Sequence, residues 1–183
     1  LENALEYLAS APGSPPLKIL ADSENPIKTI VISGVDSDLL TGTRQYITNT
    51  RLNDIKDGIH ILKKISGIDR IILVTGRDAI HGYGHIGAEV KSIDTPYPAA
   101  LPPMIMKNVL GEVLPAGKTC QEMGVCFMSA EAVVSIGRAY TGGQLPVSKI
   151  LTLITKDGNQ RLLETTIGTP VKDILNAYGV TIN

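Results

Sequence analysis

Two short segments carry side chains whose types and spacing could do chemistry. In Ser33-Gly34-Val35-Asp36-Ser37-Asp38, two carboxylates sit two residues apart just beyond an apolar run. Such a pair can accept hydrogen bonds from ribose or a flavin ring, or it can simply solvate a loop. Gly82-Tyr83-Gly84-His85-Ile86-Gly87 matches the pattern G-x-G-x-x-G. That pattern cradles a pyrophosphate when it follows a strand and opens a helix whose amino end faces the phosphates. Here the next segment, Ala88 to Asp94, reads as a strand. The plainer reading is therefore a glycine loop standing in for a crossover helix.

The remaining reactive residues are less organised. His81 and His85 lie four apart, but the Gly-Tyr-Gly between them opposes a helix and no third ligand accompanies them. They read as solvated loop residues, and His60 lies on a predicted helix. Cys120 and Cys126 have five residues between them, which is not the spacing of zinc or iron–sulfur ligation. Cys126, among apolar neighbours, reads as a small core residue, and no iron–sulfur cluster is expected of this chain. Ser10, Ser14, Thr41 and Thr43 have no His–acid pair nearby, so no nucleophile and base are nominated.

The elements that must position these groups follow an α/β pattern. Residues 1–26 open with Leu1, Ala4, Leu5 and Leu8 at helical spacing, then break at Ala11-Pro-Gly-Ser-Pro-Pro, which predicts an extended connector. Lys28–Ser33 and Arg70–Thr75 are near-continuous β-branched runs, suited to strands covered on both faces. Between them Leu52, Ile55, Ile59, Leu62 and Ile65 predict one helix over Thr50–Ser66, stopped by Gly67. Strand, helix and strand of this composition predict a right-handed parallel βαβ unit. Glu89–Ile93 is a weaker third strand, Met104–Leu110 a short helix opened by Pro102-Pro103, and Gly124–Met128 a fourth strand. Ser129 is placed to cap a helix that runs to about Tyr140 and closes at Gly142-Gly143. Residues 27–143 thus form one α/β layer domain. Residues 146–183 form a separate unit: a strand, an Asp157-Gly158 turn, a second strand, and a helix with Thr169 as its cap and Pro170 at its first position.

Bulk composition narrows the function classes. The chain has 183 residues, 43% hydrophobic and 19% charged, with formal net charge −1. That is enough for a sizeable core and carries no basic footprint for nucleic acid or a membrane surface. No apolar run approaches a membrane span, so no membrane insertion is expected, and the start lacks the features of a signal peptide. The expectation is a soluble, cytoplasmic piece of a longer chain.

Several segments carry a family resemblance. Pro146–Gly158 followed by Glu164-Thr-Thr-Ile-Gly-Thr-Pro-Val resembles the soluble-ligand-binding β-grasp (SLBB) unit of redox subunits. Ile27–Asp38 resembles a strand and turn, Leu52–Val74 the next helix and strand, and Tyr97–Gly117 a spaced Tyr-Pro and Leu-Gly segment, of the C subunit of the Rnf electron-transport complex. The same core is found in the flavin-carrying, NADH-oxidising subunit of respiratory complex I. The resemblance implies a Rossmann-like three-layer α/β domain followed by the start of a β-grasp domain. It implies an electron-transfer subunit of an NADH-linked oxidoreductase, with FMN and NADH as cofactors and other subunits of a redox complex as partners, either free in the cytoplasm or docked to a membrane complex. By the same resemblance the cofactor site comprises Ser33, Gly34, Asp36, Asp38, Tyr97 and Ser129. Four segments depart from the family pattern: the residues before Leu17, which replace a glycine-rich phosphate loop, Ser33, Ala100–Pro103, and Met128–Ala132. Loss of glycines and polar groups removes amide donors and close approach to a phosphate. The alternative expectation is a redox-silent docking module.

Overall fold

The computed structural model describes residues 2–77, 83–94 and 97–180. Four parallel strands form the main sheet in the order β3-β2-β1-β4: β1 (Thr29–Ser33), β2 (Ile71–Gly76), β3 (Glu89–Ile93) and β4 (Val125–Ser129). Every residue of β1 and β2 is buried, as the continuous β-branched runs require of strands covered on both sides. Period-two alternation divides their side chains between two layers. Ile30, Ile32, Ile71, Leu73, Cys126 and Met128 face one core, while Val31, Ile72, Val74 and Val125 face the other.

The first layer consists of α4 (Leu52–Ser66) and α6 (Ala130–Gly142), which bury Ile55, Ile59 and Leu62 against Val133 and Ile136. The opposite layer is thinner. It is built from α5 (Pro102–Ile105) and the π-helical turn Met106–Leu110 that continues it, with Ile105 and Met106 fully buried. The result is a Rossmann-like three-layer α/β fold. Among the described residues no helix is long and apolar enough to cross a membrane. Residues 148–177 add an antiparallel hairpin, β5 (Ser148–Ile154) and β6 (Gln160–Thr166), and a short helix, α7 (Val171–Ala177).

Three expectations need correction. The predicted helix over Thr50–Ser66 is α4 and begins two residues late, at Leu52, because Arg51, at φ −121° and ψ 35°, interrupts the run; a further helix that was not expected, α3 (Thr43–Thr50), precedes it. The last helix begins at Val171, so Thr169 is not its cap. The Thr169 hydroxyl donates instead to the Thr166 carbonyl at 2.8 Å, and the Pro170 carbonyl receives the first helical amides. The Pro-rich connector is not simply extended. It contains a tight turn with Gly13 at φ +83° and Ser14 at φ +47°, and leads into α2 (Leu17–Leu20), whose Leu17 is buried in the main core. The first helix, α1, spans Glu2–Ala9.

Backbone proximity fixes the α4–α6 crossing. A Cβ on Gly58 would lie 2.1 Å from the Val133 carbonyl oxygen, and one on Gly137 would lie 2.4 Å from that of Asp54. The helices touch main chain to main chain, and the Arg138 Nε donates to Asp54 Oδ2 at 2.8 Å beside the crossing. Gly58→Ala is expected to destabilise the chain by about 1–3 kcal/mol through forced separation of the helices. Gly142→Ala, with open space around it, should be near neutral in the same urea-unfolding measurement.

Burial of Cys126 on β4 pushes its thiol up from 9.0 to about 12. Because the folded value is raised, the stability contributed by the buried neutral thiol is complete below about 9 and is lost as pH rises toward 12. Urea midpoints of the native chain should therefore fall more steeply over that window than those of Cys126→Ala.

Candidate functional site

Chain winding reverses at β1. From β1 the sheet grows outward through β2 and β3, then the chain returns to place β4 on the other edge of β1. The carboxyl ends of β1 and β4 therefore flank a topological switch point, the place where open α/β sheets bind ligands. Ser33 and Ser129 are register partners there. A cavity of about 160 Å³ opens between them, lined by Ser37, Arg44, Ala100, Pro102 and Phe127 among others. A second cavity of about 590 Å³ shares Arg44, Phe127 and Ser129 and extends past Asp36 to Glu131 and Lys149.

The site residues predicted from the sequence take different places. Ser33 donates to the Val35 carbonyl at 3.2 Å and accepts from an Arg44 guanidinium N–H at 3.3 Å. Ser129 caps α6, its hydroxyl oxygen accepting from the Ala132 amide at 3.1 Å. Asp36 lines the larger cavity, with both oxygens committed. Oδ1 accepts from the Arg44 amide and Oδ2 from the Gln45 amide, each at 3.1 Å, so the carboxylate caps α3. Gly34 serves packing. Its amide donates to the Val74 carbonyl, and a Cβ there would lie 2.7 Å from the Thr48 hydroxyl. Asp38 and Tyr97 are brought together, but in a separate surface groove with Leu39, Leu40 and Thr41, away from the serines. Of the glycine-loop motif and its histidines, His81 and Gly82 lie outside the described residues. His85 and His60 are exposed, and among the described residues no group of three or more His, Cys, Asp or Glu could hold a metal ion.

Several residues at the site were not singled out in the sequence. Arg44 sits on α3, whose local cap position is Gly42, and its true cap is supplied by a carboxylate eight residues upstream. No short-range sequence signal marks such a helix. Glu131, in the first turn of α6, accepts from the Lys149 ammonium of β5 at 2.8 Å through Oε2, while Oε1 is buried with no partner among the described residues. Gly13 packs so tightly on this helix end that a Cβ would come within 2.4 Å of the Ala132 nitrogen.

These details decide how a flavin phosphate would fare. It needs convergent amides at an electropositive helix end. The Arg44 and Gln45 amides of α3 are taken by Asp36. The α6 end is covered by Gly13, capped by Ser129 and carries the Glu131 carboxylate. A dianion there would meet the Asp36 and Glu131 carboxylates beside Arg44 and Lys149, and the Arg44, Gln45 and Ala132 amides are already taken, so the residues present do not fit the convergent amide cradle that the group needs.

Removing the Asp36 side chain strands two helical amides. Asp36→Ala is expected to cost about 1–2 kcal/mol in urea unfolding, with faster amide hydrogen exchange concentrated at Arg44 and Gln45. Asp38→Ala, an exposed change nearby, should leave both unchanged.

Comparison with known proteins places this architecture. The chain is 23% identical over 175 residues to the C subunit of the ion-translocating oxidoreductase complex of Buchnera aphidicola, covering 89% of this chain and 36% of that protein. It is 22% identical over 174 residues to the protein of the same name from Haemophilus influenzae strain PittEE, covering 87% and 26% respectively. It thus spans about a third or less of these relatives. A chain of an NAD+-reducing [NiFe]-hydrogenase, in its H2-reduced crystal structure, superposes over 96% of this chain and 38% of its own length, with a TM-score of 0.69 at 12% identity. The air-oxidised form gives 0.71 at 11%. That likeness is one of fold. Residues 14–145, which hold both layers, the switch point and the helix ends around it, match the family described as the NqrA second alpha/beta domain, and the chain belongs to that family.

Proposed function

We propose that this chain is a domain of a subunit in an NADH-linked electron-transfer complex, and that it serves there as a redox-silent docking module. Support for the setting comes from the relatives named as the C subunit of an ion-translocating oxidoreductase complex and from the NAD+-reducing hydrogenase of like fold. The single observation that carries the redox-silent reading is the Asp36 carboxylate, which takes the Arg44 and Gln45 amides of α3 where the larger cavity opens. FMN has no phosphate cradle there, and with no flavin held at the switch point NADH has no acceptor within this domain.

The partners on this reading are other parts of the same redox complex. The β5–β6 hairpin and α7 follow the order of an SLBB β-grasp unit. Leu162 and Val171 on them, and Val147 and Ile167 beside them, are exposed, which supplies apolar area for docking. A polar seam joins the hairpin to the sheet domain: Thr152 to Thr43 at 3.0 Å, Arg51 to Glu164 at 3.2 Å, and Lys149 to Glu131. Ile150 is buried in the main core beneath it. The hairpin is thereby presented at a fixed place on the sheet domain.

Fluorescence titration of FMN with the chain tests the reading. A functional flavin site in the roughly micromolar range corresponds to about −8 kcal/mol and would saturate well below about 100 μM. No saturable quenching is expected over that range. Saturable quenching that weakens in Asp36→Ala would overturn the redox-silent reading and restore the electron carrier.

A further inference from the structure

The smaller cavity at the switch point has a chemical character of its own. Among the described residues its one charged lining group is Arg44, accompanied by the hydroxyls of Ser33, Ser37 and Ser129 and by apolar walls that include Pro102 and Phe127. Among the described residues no carboxylate lies within ion-pair distance of the Arg44 guanidinium. Asp36, the nearby acid, spends both oxygens on the Arg44 and Gln45 backbone amides. The guanidinium instead gives one N–H to Ser33, which leaves the rest of its planar fork uncommitted. Ser33 in turn donates to the Val35 carbonyl, so it orients the arginine and has no proton to offer a ligand. Ser129 accepts from the Ala132 amide and keeps its own hydroxyl proton free, and Ser37 has no hydrogen-bond partner among the described residues. Donors are thus plentiful, while the acceptor that would match them is missing from the described residues around the cavity.

We propose that this crevice binds a small monocarboxylate with a short apolar body, its carboxylate on the Arg44 guanidinium and the Ser37 and Ser129 hydroxyls, its body against Pro102 and Phe127. A planar fork of N–H donors matches a carboxylate's two oxygens. One cation in the lining calls for a monoanion, and the apolar wall favours an organic acid over an inorganic ion. At about 160 Å³ the space falls below the roughly 300–1,000 Å³ of drug-sized ligand sites, which matches an acid of a few heavy atoms held here rather than in the larger neighbouring cavity. The proposal rests on the reading that no flavin fills the switch point. The two are separable, since flavin binding is read by fluorescence and carboxylate binding by amide and guanidinium resonances.

Titrating the isotope-labelled chain with propionate, followed by proton–nitrogen correlation spectra, tests the site. Saturable shifts are expected at the Ser37 and Ser129 amides and the Arg44 Nε–H. Binding should weaken by at least about tenfold in Arg44→Gln, while Arg70→Gln, at the far end of β2, should match the native chain. Propionamide, of the same shape but uncharged, should not bind the native chain, a comparison that needs no altered protein. Shifts that never saturate, equal binding of propionamide, equal binding by Arg44→Gln, or inorganic phosphate binding as tightly as propionate would each overturn the proposal.

Discussion

Strand β1 is hydrogen-bonded on both edges and covered on both faces, and the rest of the domain is arranged around that constraint. Its pairing with β2 and β4 is parallel on each side, and none of its five side chains reaches solvent freely. A slip of one residue would exchange the two cores, so the register is firmly specified. Everything after Ser33 is then placed relative to a fixed end. Gly34 allows Thr48 to press against the chain as it leaves the sheet, and Asp36 gathers the first amides of α3. Arg44 reaches the switch point only because α3 is pinned in this way.

The polar groups around that end show how a chain can satisfy a helix end with its own side chains. A helix end buried at a crevice requires something negative or hydrogen-bond-accepting. A bound phosphate is one solution and an internal carboxylate is another. In this chain Asp36 supplies the second solution at α3, and at α6 the Ser129 hydroxyl accepts from the Ala132 amide. Lys149 pairs with Glu131 from the hairpin, so the charge at the α6 end is tied to the placement of β5.

Sequence pattern was most legible where one local signal decided the outcome. The uniform apolar runs of β1 and β2, the Gly67 stop at φ +70° and the Ser129 cap each depend on residues within a few positions of one another. Helix α3 was hidden because its cap is non-local, and with it went Arg44, the cation of the smaller cavity. The expected grouping of Tyr97 and Asp38 with the serines failed for a related reason. The path of the Asp36–Gly42 loop is set by the Asp36–α3 bonds and by Thr152 across the seam, which carry Asp38 outward to Tyr97. The glycines of the α4–α6 crossing read as weak helix residues, although a main-chain contact between distant segments is what requires them.

The late arrival of β4 has a consequence for how the domain is made. During synthesis β1, α4, β2 and β3 leave the ribosome first, and they carry one unpaired edge of β1 and the uncovered faces of Ile55, Ile59 and Leu62. Neither can be closed until Val125–Gly142 has been translated, because β4 seals the edge and α6 covers the helix. A nascent chain of this topology exposes a sticky hydrophobic template until β4 and α6 emerge, and such templates recruit chaperones or other chains. Pausing, truncation or slow translation within Tyr97–Gly124 would therefore be felt as aggregation of the nascent polypeptide, although that segment contributes no strand to the sheet.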